Sequence, residues 1–197
     1  MNETWKLEEL FPDSYAQAIQ WNEIARESPL SVEEQEAIVE EEIKETFKAI
    51  DEEDFIEALD GVADVFFTAA YLKHLDPTNF LVTIAETIVD KATHVIGHST
   101  ICACIQEVVD SNFTKFVYVA KEPYKSRFDS LEGLIRSEEE RLTQEHNSPI
   151  KGYKIGSYVV FHNKNNKVMK PFCYVRPDLE SVVENFPYNK KTLKGEL

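Results

Sequence analysis

Two short acidic clusters have the residue types and the spacing to bind a divalent cation. The first cluster contains Glu41, Glu42 and Glu45, and the second contains Asp60 and Asp64. Residues three or four apart share one face of an α-helix, so each cluster can direct its carboxylates to one side. Carboxylates that converge in an apolar interior repel each other, and oxygen-preferring cations such as Mg²⁺ relieve that repulsion. The pattern therefore predicts a metal site for phosphate chemistry.

Two alternatives to this metal site remain open. Glu57 lies three residues before Asp60. The second ligand pair is therefore either Glu57 with Asp60 or Asp60 with Asp64. The apolar run that follows Asp64 favours the later pair. The clusters can also be solvated or salt-bridged helix faces, because exposed helices carry glutamate routinely.

The apolar pattern predicts two antiparallel helices that carry these clusters. Ser31 and Glu34 form a capping box at the start of the first helix. Its apolar residues recur at helical spacing: Ile38, Ile43, Phe47 and Ile50. A break at 51–54 separates it from a second helix, which starts at Asp54 and is apolar nearly all round, as is typical of a buried helix.

Other helices and one hairpin are predicted around this pair. One helix is expected to begin near Phe11–Ser14, with Asp13 or Ser14 as its cap. Another is expected to have Asp76 as its cap and Pro77 in its first turn. Two more are expected over 99–115 and 130–146. The residues 158–162 and 167–169 flank an asparagine-rich turn and are predicted to form a β-hairpin. The expected domains are a helical part (1–150), a hairpin appendage (151–180) and a tail (181–197).

Composition restricts the class of protein. The chain has 197 residues, of which 43% are hydrophobic, with only 6 Gly and 8 Pro, which favours a helix-rich folded protein. The 36 acidic residues outnumber the 21 basic ones and give a net charge of −15, which disfavours binding to nucleic acid or to anionic membranes. No signal peptide or membrane-spanning run is recognised, and the three cysteines lack the spacing of a disulfide framework. We therefore expect a cytoplasmic location.

Two further groups of polar residues have weaker spacing signals. The stretch 110–115 brings an amide, hydroxyls and the Lys115 ammonium to a helix end, where they could bind a phosphate or read a base edge. An ordinary polar helix end is the plainer interpretation. His94 and His98 are four residues apart, but no third ligand completes a zinc spacing, so structural roles are favoured. The chain has no glycine-rich phosphate loop and no nucleophile elbow.

A family resemblance rests on four motifs that occur in order along the chain. They are Trp21-Asn22-Glu23-Ile24-Ala25, Glu41-Glu42-x-x-Glu45, Asp60-Gly61-Val62-Ala63-Asp64 and Glu107-Val108-x-Asp110-Ser111-Asn112-Phe113-Thr114-Lys115. This succession resembles the all-α nucleoside triphosphate pyrophosphohydrolases, the MazG-like and phosphoribosyl-ATP pyrophosphohydrolase-like group, in particular bacteriophage-type members. The predicted hairpin is similar to a β appendage of those phage-type proteins.

The resemblance implies a mainly α helical bundle with a small C-terminal β-hairpin, assembled as a homodimer or homotetramer. It implies Mg²⁺-dependent hydrolysis of a nucleoside triphosphate, in particular a deoxynucleoside triphosphate, to a monophosphate and pyrophosphate. A phage-encoded member would act in the host cytoplasm. The alternative is a non-catalytic bundle that binds a nucleotide or a partner.

The resemblance also assigns roles to individual residues. Glu42, Glu45, Asp60 and Asp64 would hold Mg²⁺, and Glu41 or Glu45 would act as general base. The nucleotide would be contacted by three residues outside the acidic clusters: Trp21, Asn112 and Lys115. The second motif of the family is often Glu-x-x-Asp, and here Gly61 occupies the Glu position, so Asp60 must substitute.

Overall fold

A computed structural model of the chain describes residues 5–120 and 127–185. These residues form eight helices and three strands: α1 (Leu7–Leu10), α2 (Pro12–Ala25), α3 (Val32–Asp51), α4 (Phe55–Leu75), α5 (Phe80–Ile96), α6 (His98–Phe113), β1 (Val117–Tyr118), α7 (Leu131–His146), β2 (Ile150–Ile155), β3 (Tyr158–Asn163) and α8 (Leu179–Asn185). The predicted fold class, mainly α with a small β part toward the C-terminus, is confirmed.

The described residues fall into two compact units. Unit 1 contains 5–20, 30–110 and 177–185, and unit 2 contains 21–29, 111–120 and 127–176. This grouping differs from the predicted ranges 1–150, 151–180 and 181–197, because α7 packs against β2 and the predicted tail begins inside α8. The rest of that tail (186–197) lies outside the described residues.

The hairpin of α3 and α4 forms the centre of unit 1, and its ends follow the sequence signals. The capping box is confirmed: Ser31 Oγ accepts from Glu34 N at 3.2 Å, and Glu34 Oε2 accepts from Ser31 N at 2.9 Å. Asp54 caps α4 by accepting from Glu57 N at 3.2 Å. Between the helices, Glu53 has a φ of 59°, which reverses the chain within three residues.

The two helices lie in close contact where Gly61 meets Thr46. A Cβ atom on Gly61 would lie 2.5 Å from Thr46 Oγ1 and 3.0 Å from Thr46 Cα, so only glycine fits there. Farther along the pair, Gln35 Nε2 donates to Thr68 O at 2.8 Å. The contacts run in opposite directions along the two helices, which confirms the predicted antiparallel arrangement.

The buried face of α3 is different from the predicted one. The fully buried side chains are short or polar: Gln35, Val39, Thr46 and Ala49. The predicted apolar positions Ile38, Ile43 and Ile50 are half-buried, and Phe47 is 39% exposed. A close helix approach needs small side chains at its centre, so the large apolar residues of α3 lie beside the contact instead of in it.

The predicted caps of two helices are wrong. α2 begins at Pro12, within the predicted entry at Phe11–Ser14, so Asp13 and Ser14 lie inside its first turn and neither is the cap; proline suits the first position because it needs no N–H partner there. α5 begins after Asn79, whose Oδ1 accepts from Leu81 N at 3.0 Å. Asp76 instead ends α4 and accepts from Thr78 N at 3.0 Å.

Unit 2 contains an antiparallel sheet with the strand order β1-β3-β2. The predicted pairing of 158–162 with 167–169 is present only as a short antiparallel bridge from Val168 to His162, where Met169 N donates to Phe161 O at 2.8 Å. The main partner of β3, which was not predicted, is β2, and the two pair along the whole length of β3. The turn between β2 and β3 contains Gly156, whose φ of 57° suits glycine. One sheet face packs on α7 through apolar residues that include Leu134, Ile150 and Phe161.

The contact at Gly61 leads to a stability prediction. We expect Gly61→Ala to lower the free energy of unfolding by about 1–3 kcal/mol, because the added methyl group must displace the Thr46 side chain or backbone. Urea denaturation measures this loss. In a Thr46→Ala background the nearest clashing atom is absent, so the loss should shrink. An equal loss in both backgrounds would show that the predicted contact does not set the helix distance.

Candidate functional site

Glu42 and Asp64 occupy the same level of the antiparallel pair formed by α3 and α4. Thr46 lies opposite Gly61, Glu42 is one turn before Thr46, and Asp64 is nearly one turn after Gly61. Both acidic side chains are half-buried. The antiparallel register therefore brings one carboxylate from each predicted cluster to the same stretch of the helix contact.

Threonine side chains secure the backbone at both of these acidic positions. Thr46 Oγ1 donates to Glu42 O at 2.7 Å, and Thr68 Oγ1 donates to Asp64 O at 2.8 Å. Each hydroxyl thus donates a hydrogen bond to a carbonyl oxygen one turn earlier in its own helix. A polar residue can therefore lie in the helix contact without leaving a hydrogen-bond donor unpaired.

Asp60 is half-buried and lies close enough to α6 to influence a cysteine there. Burial, together with the negative charges of Asp60 and Glu107, raises the pKa of the Cys104 thiol to about 12. A metal ion near Asp60 would meet an environment that already favours positive charge.

The other predicted acidic residues are more exposed. Glu41 and Glu45 lie on the solvent side of α3, and Glu57 is exposed in the first turn of α4. Within residues 5–120 and 127–185, no group of three or more His, Cys, Asp or Glu side chains lies close enough together to hold a metal ion. The structure thus aligns Glu42 with Asp64 and does not gather the whole predicted set.

The three residues predicted to contact a nucleotide form one cluster in unit 2. Trp21 Nε1 donates to the Asn112 carbonyl oxygen at 2.8 Å, and the Lys115 ammonium lies 5.9 Å from the centre of the indole ring. The indole stacks on Phe116 at 5.1 Å and is only 6% exposed. Trp21 is therefore a packed side chain that supports its neighbours, and it offers little free ring surface to a base.

The two histidines with zinc-like spacing both have structural contacts. His94 Nδ1 is 2.8 Å from Asp90 O, and His98 stacks on Phe11 with ring centres 5.2 Å apart. These contacts agree with the structural interpretation of the pair.

Motif spacing gave no indication of a cavity in unit 2 that is lined by Arg26, Lys151 and His162. Its walls come from three stretches, 26–28, 149–153 and 162–166, which are far apart in sequence and share no pattern. The one signal available was His162 itself, a lone histidine among the apolar residues of a strand.

Comparison of the chain with family models, with curated proteins and with solved structures gave no match. Among the described residues, no helix has both the length and the apolar character needed to cross a bilayer.

The position of Asp60 can be tested through the reactivity of Cys104. With a pKa of about 12, this thiol should alkylate with iodoacetamide at pH 8 far more slowly than a thiol of ordinary pKa, because the thiolate is the nucleophile. Asp60→Asn removes a nearby negative charge and should speed the reaction. Peptide mass spectrometry measures the rate, and Asp51→Asn at the exposed end of α3 is the control. Equal rates in both variants would contradict this placement.

Proposed function

We propose that the chain is a Mg²⁺-dependent nucleoside triphosphate pyrophosphohydrolase that releases a nucleoside monophosphate and pyrophosphate. Deoxynucleoside triphosphates are the proposed substrate class. The supporting observation is the alignment of half-buried Glu42 and Asp64 across the contact of α3 and α4. The order of motifs that resembles the all-α pyrophosphohydrolases supports the same proposal.

A pair of carboxylates is a sufficient protein contribution for Mg²⁺. This ion usually binds one or two carboxylates, and waters and substrate phosphates complete its six positions. Glu42 and Asp64 would supply those carboxylates, with Asp60 as a further ligand. When bound, the ion neutralises phosphate charge and makes a bound water more acidic.

The remaining chemistry falls to residues that hold the substrate and move a proton. Glu45 or Glu41, both exposed to solvent on α3, would accept a proton from the attacking water as general base. Lys115 would place a positive charge against the phosphates, and Trp21 would hold that ammonium through the cation–π contact. Asn112 would contribute its side-chain amide to the sugar or the phosphates.

The second candidate is a non-catalytic bundle that binds a nucleotide or a partner. The exposure of Glu41 and Glu45 favours it, since an exposed carboxylate has no environment that holds it against a substrate. The homodimer or homotetramer and the cytoplasmic location stay predictions.

A triphosphate panel tests the proposal. Purified protein is incubated with each nucleoside and deoxynucleoside triphosphate and Mg²⁺, and released pyrophosphate is measured. We expect release from at least one triphosphate and none in EDTA. Tight nucleotide binding by calorimetry without pyrophosphate release would instead support the binding protein.

Substitution of the aligned carboxylates should separate catalysis from folding. We expect Glu42→Gln and Asp64→Asn each to lower kcat at least about 100-fold, because each removes one negative ligand of the ion. The control is Glu40→Gln, which removes an exposed carboxylate from the same helix. Circular dichroism confirms that each variant is folded. Activity that survives both substitutions would contradict the assigned ligands.

Lys115 should affect substrate binding more than turnover. We expect Lys115→Gln to raise KM for the triphosphate about tenfold with a smaller change in kcat, because the ammonium attracts the phosphates in both ground and transition states. Steady-state kinetics measures both constants, and Lys91→Gln on α5 is the charge-matched control. An unchanged KM would remove Lys115 from the substrate site.

A further inference from the structure

A cavity of about 500 Å³ lies in unit 2 beside the sheet face that does not pack on α7. Lys151 and His162, which are paired across β2 and β3, form its floor. The segment that follows α2 and the turn after β3 form its sides. The volume is in the range of pockets that bind small molecules.

The cavity has a positive charge balance in an acidic chain. Arg26, Lys151 and Lys164 line it, against one carboxylate from Glu27. Lys151 also lies 3.9 Å from the half-buried Glu139, but its own side chain is 69% exposed, which leaves the ammonium largely solvated. Because the chain as a whole carries a net charge of −15, a local excess of cations selects for an anionic ligand.

His162 lines this cavity as a largely buried side chain. The residue is 7% exposed, and among the described residues no protein atom completes a hydrogen bond to its buried Nε2 atom. Burial lowers the pKa of His162, and the nearby charge of Arg26 lowers it further, whereas the Ala25 backbone and Glu27 act in the opposite direction. The bond to the Ala25 backbone uses the proton of the other ring nitrogen, so Nε2 of the neutral ring is an acceptor, and the ring lines the cavity without donating to an anion.

The turn after β3 forms a firmly held wall rich in donors. Asn163 Oδ1 accepts from Asn165 N at 2.9 Å and from Lys167 N at 3.0 Å, which leaves the amide NH₂ group of Asn163 as the donor. The Tyr153 ring lies 5.9 Å from the His162 ring and forms a flat side of the cavity. The Arg26 and lysine cations and the Asn163 amide are donors in this lining, and phosphate oxygens are acceptors with the matching charge.

We propose that this cavity binds a small phosphate monoester, with its phosphate against Arg26 and Lys151 and its organic part beside the rings of Tyr153 and His162. A phosphate group alone would fill only a small part of the volume. The cavity lining shares no residue with the proposed hydrolysis site, since it contains none of the predicted metal ligands and none of Trp21, Asn112 and Lys115.

The test is an NMR titration of the full chain, labelled with ¹⁵N, with adenosine 5′-monophosphate followed through the His162 ring signals. EDTA is present and Mg²⁺ is absent, so the result does not depend on the proposed enzymatic activity. We expect a saturable shift of the His162 signals, and adenosine without its phosphate should bind at least about tenfold more weakly. Inorganic phosphate should compete.

Two pairs of variants locate the binding. Arg26→Gln should weaken it about tenfold, with Arg136→Gln on the exposed side of α7 as control. If Arg26→Gln disturbs the fold, Lys151→Gln tests the same point, with Lys154→Gln as control because Lys154 is on the same strand but does not line the cavity. Lack of a His162 shift, equal shifts with adenosine, or equal weakening by test and control variants would each overturn the proposal.

Discussion

The contact between Gly61 and Thr46 is the constraint on which the candidate site depends. A glycine in the interior of a buried helix costs about 1 kcal/mol relative to alanine, and here that cost is offset by a close packing of two long helices. The contact fixes the register of α3 against α4. A shift by one turn would place Glu42 opposite Gly61 or beyond Asp64, and the two carboxylates would no longer share a level.

The same contact explains why polar residues lie inside the helix pair. The Thr46 and Thr68 hydroxyls donate to carbonyl groups of their own helices, at Glu42 and at Asp64, so neither needs a partner across the contact. Gln35 does use a partner across the contact, the Thr68 carbonyl. Short side chains with satisfied hydrogen bonds allow the helices to approach, and the carboxylates border this contact half-buried, where they keep access to water and ions.

Local signals predicted much of the fold, and contacts between distant segments account for the rest. Features that a few neighbouring residues determine were predictable. They are the capping box at Ser31, the break at 51–54 and the start of α7 after Ser130. The main partner of β3 was not predictable, since β2 has few apolar residues and depends on a two-residue turn at Gly156. The alignment of Glu42 with Asp64 follows from the register of α3 against α4. The cavity around His162 joins three stretches of the chain that share no sequence spacing.

The central claim, that Glu42 and Asp64 share a divalent cation, can be tested by paramagnetic broadening with Mn²⁺. The ¹⁵N-labelled chain is titrated with Mn²⁺ in the presence of a non-hydrolysable triphosphate, and amide signals are followed. The account predicts that amides near Glu42 and Asp64 broaden first and that Asp64→Asn removes this effect. A different acidic surface lies around Glu52–Asp54 and Glu180. Broadening that begins there instead would contradict the claim that Glu42 and Asp64 share the cation.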